Sequence, residues 1–192
     1  MLIVSQNKKS HSNHPYALRG FTIVELLIAI VIIAILAAIT VVAYSGIQQR
    51  ARNSSRVAEA KQWQTLLSMY RAQNSTYPIS SGGVCLGEGF PKYAGSGNAL
   101  VGSCWDANST TSRHFEDVAF NNLVRTIGSL PQGDRTPILG ANGTTYRVGP
   151  IFWWNAVTPY ISYFLEGDGA CPLGTKSWSD AVNYRCNLVL ST

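Results

Sequence analysis

Arg19-Gly20-Phe21-Thr22-Ile23-Val24-Glu25-Leu26-Leu27 opens the one long apolar run of this chain: from Phe21 to Ala43 only Thr22, Glu25 and Thr40 are polar. A helix over residues 21–43 reaches about 35 Å at 1.5 Å per residue, enough to cross a hydrocarbon core of roughly 30 Å. A carboxylate inside such a segment is costly, and a plain anchor has no use for one. An acid at this depth therefore reads as functional, and a partner for it has to be sought. The alternative is a Glu25 that lies at headgroup depth and is merely hydrated.

Residues 1–20 hold Lys8, Lys9 and Arg19, no acidic residue and no sustained apolar run. A secretory signal places its apolar region before the cleavage point. Here the apolar stretch follows the small residue, Gly20. Cleavage after Gly20 keeps the helix in the mature chain and makes Phe21 its N-terminus. The new α-amine is a cation four residues from Glu25, free to pair within one chain or between neighbours.

The run Gly20-Phe21-Thr22-Ile23-Val24-Glu25-Leu26-Leu27 resembles the class III signal of type IV pilins and type II secretion pseudopilins. Glycine, aromatic residue, acid at the fifth mature position and an uninterrupted apolar helix coincide. The resemblance is close over about residues 19–77 and weak beyond. It implies that a membrane aspartyl prepilin peptidase cuts between Gly20 and Phe21 and that Phe21 is N-methylated. It also implies that Glu25 attracts the Phe21 amine of an adjacent subunit during assembly.

Removal of Lys8, Lys9 and Arg19 with the leader takes the 15 basic residues to 12 against 10 acidic ones, so the mature side chains carry +2 rather than +5. That balance argues against a nucleic-acid partner and for a solvated surface. The cysteines are Cys85, Cys104, Cys171 and Cys186, without a C-x-x-C, and His114 is the only histidine after residue 20. A metal site would need an unusual four-thiolate set. In a domain outside the membrane disulfides persist. Four cysteines allow three pairings, of which the sequence-local Cys85–Cys104 and Cys171–Cys186 are preferred. Basic residues flank the apolar segment at both ends, Arg50, Arg52, Arg56 and Lys61 at the far one, so charge leaves the orientation open. Cysteine usage and the resemblance put the C-terminal domain outside.

No proline occurs from Phe21 to Tyr77. Behind the apolar run the helix turns amphipathic: Val57, Ala60, Trp63, Leu67 and Tyr70 recur at steps of three and four, with Leu66 beside them. Pro78 ends it. One helix over residues 21–74 is about 81 Å long. Residues 79–112, rich in Gly, Ser and Asn, read as a long loop. Ser112 caps a predicted second helix over 113–128, with Phe115, Val118, Ala119, Leu123 and Ile127 on one face. Thr144–Phe152, Tyr160–Leu165 and Tyr184–Leu190 read as strands. The expected fold is α+β, a long N-terminal helix packed on an antiparallel sheet, as in pilins. Its expected divisions are a leader at 1–20, an apolar transmembrane and polymerisation helix at 21–52, and a globular head at 53–192.

The sequence contains no catalytic constellation. His114 has no defined partner and is expected on the surface of the second helix. Gly-Glu-Gly at 87–89 and Gly-Ser-Gly at 95–97 lack the strand-to-helix setting of a phosphate loop. Glu116-Asp117 suits the N-terminal charge of a helix better than a metal. Glu166-Gly167-Asp168-Gly169 lacks the alternating oxygen ligands of a calcium loop. Phe152-Trp153-Trp154 with Tyr160, Tyr163 and Phe164 can make an aromatic face, half of it expected in the core. The reading is a structural, non-enzymatic subunit of a type IV pilus-like filament, a homo-oligomer served by prepilin peptidase and an assembly machinery. It needs no cofactor and no metal. Its precursor sits in the membrane and its filament at the cell surface. A pseudopilin of a secretion or DNA-uptake machine is the alternative. A single-pass membrane enzyme or ligand-binding module is the alternative of a different class.

Overall fold

The computed structural model describes residues 20–80, 82–90, 102–106, 113–143, 145–154 and 157–191. The leader up to Arg19, the Gly-Ser-Gly at 95–97, Ser112 and Thr144 lie outside these residues. The chain forms two compact units, up to Tyr44 and from Ser45 onward.

Helix α1 (Ile23–Asn74) contributes to both units. In the first unit every described side chain is exposed, Ile23, Leu26, Ile30, Ile33 and Ile39 included. In the second unit the predicted amphipathic stripe is the buried one: Ala60, Trp63, Leu66 and Leu67 are in the core, and Val57 packs against it. Two charged residues share that stripe, Arg56 at 3% and Glu59 at 1% exposure. The helix stops where Ser75 turns to a φ of 62°, the left-handed conformation that closes helices, just before Pro78.

The head carries nine described strands: β1 (Gly83–Cys85), β2 (Ser103–Asp106), β3 (Arg113–Phe115), β4 (Ile138–Leu139), β5 (Tyr146–Arg147), β6 (Ile151–Trp153), β7 (Tyr160–Glu166), β8 (Thr175–Ser179) and β9 (Asn183–Val189). A short helix, α2 (Val118–Arg125), lies between β3 and β4. The strands form two antiparallel sheets, ordered β1-β6-β7-β9-β8 and β3-β2-β5-β4. One face of the larger sheet supplies Val84, Phe152, Ile161, Tyr163 and Leu165 to a core shared with α1 and α2. Its other face supplies Cys85, Ile151 and Phe164 to a second core shared with Cys104, Tyr146 and Ile138 of the smaller sheet. Ile161 through Leu165 are therefore buried without alternation, because β7 is covered on both sides.

Several expectations are corrected. The stretch read as one strand, Thr144–Phe152, is two: Gly149-Pro150 interrupts it, and β5 and β6 belong to different sheets. Proline has no N–H for a ladder, so the chain changes sheet there. The second helix does not start at 113. Residues 113–115 pair with β2, and Asp117 is the N-cap, accepting a 3.0 Å hydrogen bond from the Phe120 amide. The buried face of α2 is Phe120, Asn121 and Val124, while Val118 and Leu123 face solvent. The long loop at 79–112 contains β1 and β2.

Cys85–Cys104 and Cys171–Cys186 are disulfide-bonded, over sequence separations of 19 and 15. The first joins β1 to β2 and so ties one sheet to the other. The second ties the loop after β7 to β9.

Candidate assembly site

At the entrance of α1, Thr22 and Glu25 cap the helix reciprocally. The Thr22 amide and hydroxyl both donate to Glu25 Oε2 at 2.8 Å, and the Glu25 amide donates to Thr22 Oγ1 at 3.2 Å. This is the Thr-x-x-Glu capping box, which satisfies two amides that a helix start leaves open. The spacing was legible in the sequence, but the charge of Glu25 drew the whole reading. The capped carboxylate stands one turn above Phe21, whose side chain is 86% exposed. Behind it runs a helix long and apolar enough to cross a membrane. Isolated apolar side chains are normal on a protein surface. A continuous apolar helix with no cover of its own needs lipid or other copies around it.

In the head, α1 is fixed by charge as well as by the core. Arg52 makes a fork on Glu166, Nε to Oε1 at 2.8 Å and Nη2 to Oε2 at 2.7 Å. Arg56 adds Nη1 to Glu166 Oε1 at 2.9 Å and pairs with Asp134 at 2.8 Å. Asn53 exchanges two hydrogen bonds with the backbone of Glu166, each at 2.9 Å. Just over one turn of α1, from Arg52 to Arg56, thus meets the C-terminal end of β7. The Glu166 carboxyl is held below its ordinary pKa, chiefly by the Arg52 hydrogen bonds and next by those of Arg56, against the cost of burial. One turn on, Glu59 accepts both hydrogen bonds of an Arg135 fork, at 2.8 and 3.0 Å. Burial raises the Glu59 pKa, and the Arg135 guanidinium holds part of the rise back. Sequence reading missed this network. Arg52 and Arg56 looked like flanking charges of a membrane segment, and only the fold brings Glu166, Asp134 and Arg135 to them.

The residues weighed for other chemistry have structural occupations. His114 lies in β3, not on a helix: its Nδ1 is 2.9 Å from the Gly83 carbonyl, and its ring stacks on Trp105 at 5.0 Å. Burial lowers its pKa, so the ring is neutral at pH 7. Glu166 is engaged by two arginines, and Asp168 pairs with Lys176 at 2.5 Å. No group of three possible metal ligands occurs among the described residues. Of the aromatic residues, Phe152, Tyr163 and Phe164 are core, while Trp153, Trp154 and Tyr160 are half-buried.

Comparison with known proteins puts the similarity in the same part of the problem. The family described as the prokaryotic N-terminal methylation motif matches residues 18–41. Type II secretion system core protein G of Pectobacterium carotovorum is 30% identical over 77 residues, 40% of this chain and 49% of that protein. The core protein G of Dickeya chrysanthemi and that of Klebsiella pneumoniae are each 33% identical over 66 residues, 34% of this chain and 43% and 47% of theirs. The chain thus spans about half the length of the curated relatives it matches. No solved structure matches it. It is by its N-terminal segment that this chain carries the prokaryotic N-terminal methylation motif and is similar to the core protein G of type II secretion systems, which supports a place among the type IV pilins and pseudopilins.

Proposed function

We propose that this protein is a non-enzymatic pseudopilin, a structural subunit that polymerises into the short filament of a secretion machine. Prepilin peptidase cuts the precursor between Gly20 and Phe21 and methylates the new amine. The apolar half of α1 first holds the subunit in the membrane and then bundles with other copies. Glu25 neutralises the Phe21 amine of a neighbour inside that low-dielectric bundle. The head, residues 45–192, projects on the oxidising side, where its two disulfides form. The observation that carries this reading is the 30–35% identity to type II secretion core protein G, and it favours the secretion filament over the long pilus expected from the sequence.

The test has two parts. Mass spectrometry of the mature N-terminus is expected to find N-methylated phenylalanine at residue 21. Deletion of the gene is expected to leave exported enzymes in the periplasm or cytoplasm without loss of long sheared fibres. Long fibres containing this chain in the sheared fraction, with secretion intact, identify a pilus subunit instead.

A further inference from the structure

Four rings that the fold leaves half-buried form a continuous row on the head. Trp105 stacks on His114 at 5.0 Å, His114 meets Trp153 edge-on at 4.6 Å, and Trp153 runs nearly parallel to Tyr160 at 6.1 Å. The row crosses from the smaller sheet to the larger, through β2, β3, β6 and β7. All four side chains keep part of their surface in solvent. Glycine at position 83 lets the row close up against β1: a Cβ there would lie 2.7 Å from His114 Nδ1 and 3.1 Å from Ile151 Cγ2. An open groove of about 600 Å³ runs beside the middle of the row, between β1, β3 and the start of α2, with His114, Trp153 and Val84 in its walls.

The polar side chains among the groove's described walls are acceptors. His114 Nδ1 lies 2.9 Å from the Gly83 carbonyl, which can only accept, so Nδ1 carries the ring's hydrogen. Burial keeps the ring neutral at pH 7, and Nε2 is then a bare lone pair. Glu116 and Asp117 also line the groove, each with one oxygen in use, for the Phe90 amide and for the cap of α2. A carboxylate has about four lone-pair positions, so both keep accepting capacity beyond those bonds. A ligand suited to this groove brings several donors and an apolar face to lay on a ring. A pyranose has both: its hydroxyls donate, and its axial C–H groups make a flat apolar face. A peptide strand fits less well, because its carbonyls would face acceptors. A row of rings also suits a chain of sugars better than a single cation, which covers one ring.

We propose that the groove and the aromatic row beside it bind a carbohydrate, a chain of pyranose units with one ring laid on Trp153 and hydroxyls donated to His114 Nε2 and Glu116. The site gives the head a ligand of its own, and it stands whether or not the filament reading above does.

Calorimetric titration of the full-length chain, held in a detergent without a sugar headgroup, tests it. The probes are cellotetraose and chitotetraose, which separate a plain glucan from an N-acetylated glycan. At least one is expected to bind and to shift the amide resonances of residues 82–84 and 114–119 in the parent. Trp153→Ala is expected to weaken binding about tenfold, the loss of one ring stack. Glu116→Gln keeps an acceptor for the Phe90 amide and for a hydroxyl, and it is expected to bind within about threefold of the parent. Trp178→Ala removes an exposed ring outside the row and is expected to bind like the parent. If neither probe moves those resonances at about 10 mM, the site is overturned, and this measurement on the parent decides even where Trp153→Ala fails to fold. Parent-like binding by a folded Trp153→Ala overturns it too. So does a loss in Glu116→Gln as large as that expected of Trp153→Ala, which marks a site built for a cation.

Discussion

One substitution separates the helix cap that Glu25 makes from the assembly role proposed for it. Its Oε2 accepts from the Thr22 amide and hydroxyl, and its charge is the part proposed to meet a neighbour's amine. Glu25→Gln keeps a capping acceptor and drops the charge, while Glu25→Leu drops both. Both variants are expected to be cleaved and inserted like the parent, since each makes the helix less polar. Both are expected to accumulate as membrane monomers without filaments, because a Phe21 amine left unpaired in a low-dielectric bundle is strongly unfavourable. Fractionation of cross-linked membranes checks this. Normal assembly by Glu25→Gln would reduce the acid to a helix cap.

At the level of elements, the junction of α1 with β7 sets the response of the head to acid. Glu166 has a depressed pKa, so its ionised form is favoured in the folded state. The stability it contributes is present above the ordinary glutamate pKa and is lost as pH falls through the lower, folded-state value. Below about pH 4 the parent is therefore expected to lose melting temperature faster than Glu166→Gln, in thermal melts of the full chain taken across pH 2–7. The Cys171–Cys186 bridge acts on a neighbouring element. Replacing both cysteines by serine is expected to cost about 3 kcal/mol for a loop of this size, read from denaturant titration, and to loosen β8 first. Peptide mapping without reductant checks both pairings. The elements most legible in the sequence were those with their own pattern. Helix α1 was plain from its stripe and Pro78, and β7 and β9 from their apolar runs. Strand β8, Thr175–Ser179, is exposed along its whole length and exists through pairing with β9, so no periodicity announces it. Strands β1, β2 and β4 are two to four residues long and are likewise made by partners distant in sequence. The start of α2 was misread because Ser112 and Asp117 are both good caps, and pairing of 113–115 with β2 decides between them.

The whole molecule divides into a unit with no cover for its apolar side chains and a head with two cores. The proposed cut at Gly20-Phe21 is the step that commits the first unit to assembly. Gly20→Trp is expected to block processing and leave the precursor in the membrane at its full mass, on immunoblots of membrane fractions. Normal maturation of that variant would refute the cleavage assignment. The proposed assembly site is legible as a motif, because Gly20, Phe21 and Glu25 fall within six residues of one another. The anchorage of the helix was not, because Arg52 and Glu166 are 114 positions apart.

That anchorage also defines a route for mechanical load. If the chain works as the proposed filament subunit, it is pulled through its helix, and Arg52, Asn53 and Arg56 are the contacts that would deliver the tension to Glu166. Glu166 ends β7, the middle strand of the five-stranded sheet and the one buried on both faces. Force thus enters at the strand hydrogen-bonded on both sides, to β6 and β9, and has to shear two ladders together. An edge strand such as β8 would instead open one bond at a time, like a zip.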